Sequence, residues 1–385
     1  IAEGVEYPVV PELTKATFHY LGRHQPYALY IPPGPAPYGV QLVLHGRDSG
    51  HAFIQSMLGV LGDEPNRILI SPLGRGPASF YIDWGARDVL DALADVEATY
   101  QIDQDAVLVS GYSMGGQGTL QLATWFPDRF AGGMQWVGPT GDCRNGTPLA
   151  QRRNGCPFDI HGSTLDFLQN TRHVPIAHLY GAADEFVQAN HAVAIGQRMA
   201  ELGYVHRLWL HAAEHLTFIV LGDWRKEAAW TSDLRRVQRP ATVTYRTNTY
   251  LWVPELDLVP DGAYWLDELR PRNDNPTPEG DMVADLTSQA CSEGHRQEVT
   301  IRRDAGTDPV PWIGQEGVAS STATPQQPGQ RISGTLINVA GLLIDLDKAC
   351  LAPGADIDLD IRTDGPTMVR FSDHRPPTLL AQATG

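Results

Sequence analysis

Lysine is scarce: only Lys15, Lys226 and Lys348 appear among the 29 cationic residues of this 385-residue chain, which carries 45 acidic residues and a net charge of −16. Phosphate backbones are bound by clustered Lys and Arg, so no nucleic-acid partner is expected. No apolar run approaches the roughly 18 residues of a membrane-spanning helix. Cysteine is nearly as rare, with Cys143, Cys156, Cys291 and Cys350, and no pair has the C-x-x-C spacing of a zinc or redox site. In a reducing compartment these would be four free thiols. Here each half of the chain holds one pair, which favours the disulfides Cys143–Cys156 and Cys291–Cys350. With a first residue that is Ile rather than Met, the expectation is a secreted protein.

What is present is a globular composition, 42% hydrophobic, with length for two or three domains. Over residues 1–240, strand-like and helix-like runs alternate. "PYALYIP" reads as a strand paired with "ATFHYL", and "VQLVLHG" (40–46), "RILISP" (67–72), "AVLVS" (106–110), "FAGGMQWVG" (130–138), "PIAHLYG" (175–181) and "HRLWLH" (206–211) read as buried strands. Residues 87–100, 117–125 and 189–203 have helical spacing, the last stopping at Gly203. Such alternation implies a mostly parallel sheet with helices on both faces. Residues 138–173 break the pattern with Gly, Pro, Arg and two cysteines, as an insertion that lines a site would.

From 241 to 385 the runs become short and alternating, as in a C-terminal all-β, sandwich-like domain. This half holds 11 Lys and Arg against 21 Asp and Glu, so ten of the sixteen net negative charges lie in it. Asp356, Asp358 and Asp360 share one strand parity. A calcium site is one reading of them; charges on a wet face are the ordinary one. Trp252, Trp265 and Trp312 could be core residues or a binding platform.

Between strand 106–110 and helix 117–125 stands Gly111-Tyr112-Ser113-Met114-Gly115. A phosphate-binding loop would need G-x-x-x-x-G-K-[ST], and no Lys is near. The pattern that fits is G-x-S-x-G, in which small residues permit a tight strand–helix turn that raises the serine hydroxyl as a nucleophile. A serine needs a base, oriented in turn by an acid. Asp184 follows strand 175–181 and His215 follows strand 206–211, in the order serine, acid, histidine. Glu185 is a rival acid, and His211 and His206 are rival bases. Gly46-Arg47 sits beyond an early strand, where the N–H of Arg47 could join that of Met114 as an oxyanion hole. His45 beside it reads as structural.

With those residues in hand, "HGRDSG", the segment 83–132 and "YGAADEFV" resemble the α/β-hydrolase superfamily, in particular its prolyl-oligopeptidase-like and polyester (polyhydroxyalkanoate) depolymerase-like esterase branches. The resemblance spans about residues 16–230. It implies an α/β-hydrolase domain over 1–240, with Ser113 as nucleophile, Asp184 as acid, His215 as base, and Arg47 and Met114 as oxyanion donors. The peptidases of that branch carry an upstream β-propeller that this sequence lacks, so ester hydrolysis is expected over amide hydrolysis. Peptidase or amidase action, or a non-catalytic binding protein on a hydrolase scaffold, are the alternatives. The expected substrate is a small or polymeric ester, and no cofactor or metal is called for. Trp136, Trp84 and Phe53 are candidates for the cleft wall, and the protein is expected to be a monomer.

Overall fold

The computed structural model describes residues 2–3, 24–61, 66–140, 163–222, 224–320 and 329–380. Strands β1 (Tyr27–Tyr30), β2 (Tyr38–Leu44), β3 (Arg67–Pro72), β4 (Ile102–Tyr112), β5 (Gly132–Trp136), β6 (Ile176–Gly181) and β7 (His206–His211) alternate with helices. These are α1 (Ile54–Leu61), α2 (Trp84–Thr99), α3 (Met114–Trp125), α4 (Ala189–Leu202), α5 (Thr217–Val220) and α6 (Arg225–Ser232). Strands β2 to β7 run parallel, and β1 joins β3 antiparallel. Strand parity divides the core. Leu42, Leu44, Val107 and Val109 pack with Val89, Leu120 and Ile195 of α2, α3 and α4 on one face. Val43, Leu69, Met134 and Trp136 pack with Met57 of α1, Phe218 of α5 and Ala228 of α6 on the other. This is the mostly parallel sheet with helices on both faces that the alternation implies, in the α/β-hydrolase arrangement that the resemblance implies. The segment "ATFHYL" and both Cys143 and Cys156 lie outside the described residues.

The second half adds β8 (Thr242–Thr247), β9 (Leu266–Pro271), β10 (Met282–Ser288), β11 (Val299–Gly306), β12 (Trp312–Ala319), β13 (Arg331–Ile337), β14 (Val339–Ile344), β15 (Asp358–Thr363), β16 (Thr367–Phe371) and β17 (Thr378–Leu380). Two four-stranded sheets, β8-β10-β13-β15 and β9-β14-β16-β17, face each other. Val243, Tyr245, Leu286 and Ile332 meet Leu269, Leu342, Ile344 and Val369 between them. The Cys291–Cys350 disulfide closes a separation of 59 residues in this unit, worth about 4 kcal/mol by loop-closure entropy. Asp356, Asp358 and Asp360 are exposed, and Arg331 pairs with Asp358 at 3.0 Å and Asp360 at 2.5 Å. Among the described residues, no group of three metal-ligating side chains occurs.

The chain does not divide cleanly at residue 240. Hairpin β11–β12 leaves the sandwich and extends the large sheet, with β12 antiparallel to β7, giving the order β11-β12-β7-β6-β5-β4-β2-β3-β1. Leu251, Leu256 and Leu258 are likewise buried in the core of the first half. Period-2 alternation marks a strand without saying which sheet it joins, so β11 and β12 read like their neighbours in sequence. The tryptophans are core or near-core residues rather than a platform. Trp265 is fully buried and donates to the Pro240 carbonyl (2.7 Å), Trp312 at the start of β12 is buried in the core on the α1 and α6 face of the large sheet, and Trp252 packs against both cores.

Candidate active site

Strand β4 ends at Tyr112 and α3 begins at Met114, so the whole reversal falls on Ser113, at φ 55°, ψ −115°. A non-glycine residue held there stores about 1–3 kcal/mol of strain, and such strain clusters at functional sites. The neighbouring glycines are required by contact rather than by φ. A Cβ on Gly111 would lie 2.2 Å from the Gly115 carbonyl oxygen, and one on Gly115 would lie 2.1 Å from that of Leu44. The turn is pinned by the Ser113 N–H, which donates to the Trp136 carbonyl (2.8 Å), and by the Gln117 N–H, which donates to the Ser113 carbonyl (3.1 Å). The side chain takes no part in either bond and is left for the pocket.

The loops after β6 and β7 bring the other two groups to that hydroxyl. Ala182 N–H donates to the His211 carbonyl (2.7 Å) and Ala183 N–H to the Ala213 carbonyl (3.0 Å), so the two loops are stitched together. Asp184 Oδ1 accepts the amides of Phe186 (2.8 Å) and Val187 (2.7 Å), which fixes the carboxylate and leaves Oδ2 to face His215 Nδ1 at 2.7 Å. The far nitrogen, Nε2, stands 2.9 Å from Ser113 Oγ. Asp184 and His215 are each 5% exposed, so their mutual contact is shielded from bulk water, while the contact to Ser113 is part-buried at the cavity. Among the described residues, Glu185 meets the His215 backbone N–H, at 3.4 Å, rather than the ring.

A cavity of about 290 Å³ opens over Ser113, lined by Arg47, Asp48, Phe80, Tyr112, Met114, Phe186, His215 and Leu216. Met114 opens α3, and its N–H is among those that find no acceptor within a helix. Arg47 lines the same cavity, with its side chain 60% exposed and 3.8 Å from Asp48. The three aromatic residues expected to form the wall do not line the cavity. Parity turns the Trp136 ring, 2% exposed, to the α1 and α6 face. Phe53 packs behind Tyr112 at 5.9 Å, and Trp84 heads α2 beneath Arg75 at 5.6 Å. Phe80, Phe186 and Leu216 stand there instead. Phe186 and Leu216 follow Asp184 and His215 by two and one residues, a signal the sequence carried; Phe80 had none.

Phe80 is itself held at φ 52°. Its N–H meets Met114 Sδ at 3.3 Å and its carbonyl accepts Gln121 Nε2 at 2.8 Å. Tyr81 beside it donates its hydroxyl to the carbonyl of buried His45 (3.2 Å), directly before Gly46-Arg47. Burial lowers the His45 pKa, so the ring stays neutral under that loop. Asp88 of α2 braces the same region by accepting the Gly74 N–H at 2.7 Å. Burial raises its pKa to about 6 despite Arg75 and that N–H. The fold therefore favours the protonated acid. Its contribution, about 3 kcal/mol, is complete below pH 4 and is lost as pH rises through 6. Asp88→Asn is expected to flatten that part of the melting-temperature profile between pH 4 and 6; an unchanged slope would contradict the assignment.

His211, the rival base, ends β7 on the opposite face of the sheet. Its Nε2 lies 3.5 Å from Glu227 Oε1 with both side chains sealed, between Phe218 and Trp224. His206 is also buried, against Gln315 (2.9 Å) and the Tyr204 carbonyl (2.8 Å). Truncating the His211 ring opens a cavity in its sealed cluster, at about 3 kcal/mol or more for a buried ring. His211→Ala is expected to lower the melting temperature clearly while keeping ester turnover, whereas His215→Ala is expected to abolish turnover. Loss of turnover in His211→Ala, with the fold intact, would move the base to His211.

The Esterase family model matches residues 87–239, a stretch holding Ser113, Asp184 and His215. No curated protein matches the sequence. Among solved structures, similarity extends to a thermostable esterase at 17% identity and TM-score 0.41, over 54% of this chain and 58% of that one, less than two thirds of its length. It also extends to an S-formylglutathione hydrolase from Agrobacterium tumefaciens at 18% identity and TM-score 0.43, over 54% and 88%. A third is FphF, a fluorophosphonate-binding serine hydrolase from Staphylococcus aureus, at 15% identity and TM-score 0.46, over 60% and 98%.

Proposed function

We propose that this serine ester hydrolase, built on an α/β-hydrolase domain, cleaves carboxylic esters through an acyl-enzyme on Ser113, with His215 as base and Asp184 as its orienting acid. The observation that carries the reading is the unbroken relay of 2.7 Å from Asp184 to His215 and 2.9 Å from His215 to Ser113. His215 Nε2 takes the Ser113 proton as Oγ bonds to the ester carbon. The amides of Met114 and Arg47 receive the oxyanion. The ester C–O bond then breaks, and His215 returns the proton to the departing alkoxide. Water, deprotonated by the same nitrogen, releases the acid and restores Ser113. Asp184 holds the imidazole tautomer throughout.

An extended polyester is the finer substrate reading. Support comes from the rim: Phe186 is 58% exposed, Leu216 57%, and Val220, one helical turn beyond Leu216, 78%. Apolar side chains left in water beside a reactive serine fit a substrate that lies across the mouth rather than inside it. Secretion accords with the Cys291–Cys350 disulfide. The test is side-by-side turnover of short acyl esters, feruloyl esters, aliphatic polyester film and peptide amides. Esters should be cleaved and film eroded, with amides far slower. Film untouched while short esters turn over would remove the polyester reading, and amides preferred would remove ester hydrolysis.

A further inference from the structure

Tyr112 occupies the position before the reactive serine and reaches the base as well. Its hydroxyl donates to the backbone carbonyl of His215 at 2.9 Å, and its ring lies 5.2 Å from the imidazole, tilted 52°. On its other side, a Cβ on Gly46 would fall 2.9 Å from the ring, and Phe53 closes the back at 5.9 Å. The ring is thus wedged between the Gly46-Arg47 loop and His215. Around the base, Glu214 and Leu216 are exposed and the His215 N–H reaches Glu185 at 3.4 Å, while the Glu214 N–H bonds locally to Thr217 Oγ1 at 3.0 Å. The hydroxyl is a dependable donor: burial first, and the charges of Asp184 and Glu185 after it, raise its pKa.

We propose that the Tyr112 hydroxyl is a positioning group, setting the distance between base and nucleophile by tying the His215 backbone to the strand end that presents Ser113. Two short paths then join the same residues, one through the Tyr112 hydroxyl and one through His215 Nε2. Without the first, the imidazole keeps its Asp184 bond, but the direct tie between its backbone and the strand end that presents Ser113 is lost. Proton transfer depends steeply on such geometry, and small misplacements of a catalytic group cost rate rather than binding. The proposal rests on His215 acting as the base.

Tyr112→Phe keeps the ring and removes only the hydroxyl. Its control is Tyr245→Phe, which loses a bond of the same kind, from a buried hydroxyl to the Trp125 carbonyl at 2.8 Å, away from the pocket. Both variants should lose some thermal stability. Tyr112→Phe alone should lower kcat about tenfold with KM nearly unchanged. Its fluorophosphonate labelling rate at Ser113 should fall by the same factor, since labelling reports base-assisted attack without product release. If the two variants match in kcat and labelling, the hydroxyl is merely structural and the proposal is overturned. It is equally overturned if KM rises while kcat holds, which would make Tyr112 only a pocket wall. Failure of wild-type protein to label at Ser113 would instead remove the reading beneath it.

Discussion

Ser113→Ala is expected to lower ester turnover by about four orders of magnitude or more while leaving the fold intact, since loss of a nucleophile leaves only binding and oxyanion stabilisation. The intact fold follows from what Ser113 does as a backbone residue. Its N–H bonds to Trp136, its carbonyl bonds to Gln117, and its hydroxyl caps nothing in α3. Alanine keeps the Cβ, so the strain at φ 55° is unchanged. Circular dichroism and thermal melting should therefore match wild type. A variant retaining a large share of its kcat would show that another group attacks the ester, and a variant that unfolds would show that the hydroxyl serves the turn.

Truncation after residue 240 is expected to yield an unstable or insoluble protein, failing on soluble and insoluble esters alike. The cut strips β12 from β7 and exposes a row of unpaired backbone groups at the new sheet edge. It also removes Leu251, Leu256, Leu258 and Trp312 from the cores of the first half. At about 2 kcal/mol for each buried side chain, the loss is about 8 kcal/mol, within the range of a domain's whole net stability. Arg207 keeps Trp209 but loses partners in the second half, since its guanidinium lies 2.8 Å from Asp304 and over the Trp312 ring at 5.4 Å. The second half is thus proposed as a structural partner of the first. A soluble truncated enzyme, equally stable and deficient only on insoluble polymer, would make it a binding module instead.

The candidate site was legible because its parts are local. Ser113 announces itself by the glycines around it, and Asp184 and His215 by standing just beyond buried strands. The choice of Asp184 over Glu185 was not settled by sequence, since adjacent carboxylates in one loop read alike; the amides of Phe186 and Val187 select Asp184. His211 and His215 are four residues apart, and it is the end of β7 that puts the first on the far face of the sheet. The cavity wall was the weakest reading. Trp136 sits at the right strand end, but parity aims its ring away from Ser113. Phe80 reaches the pocket through a left-handed backbone that no pattern of residue types foretells. Hairpin β11–β12 shows the same limit at larger scale, because alternation records one buried face and not the sheet that buries it.

The central claim is that Ser113 is a nucleophile activated by His215, and covalent labelling tests it most directly. Wild-type protein, Ser113→Ala and His215→Ala would be treated with a fluorophosphonate, digested, and mapped by mass spectrometry. The account predicts one adduct, on the peptide containing Ser113, absent from Ser113→Ala and formed orders of magnitude more slowly in His215→Ala. An adduct on a different residue, or none on folded wild-type protein, would contradict it.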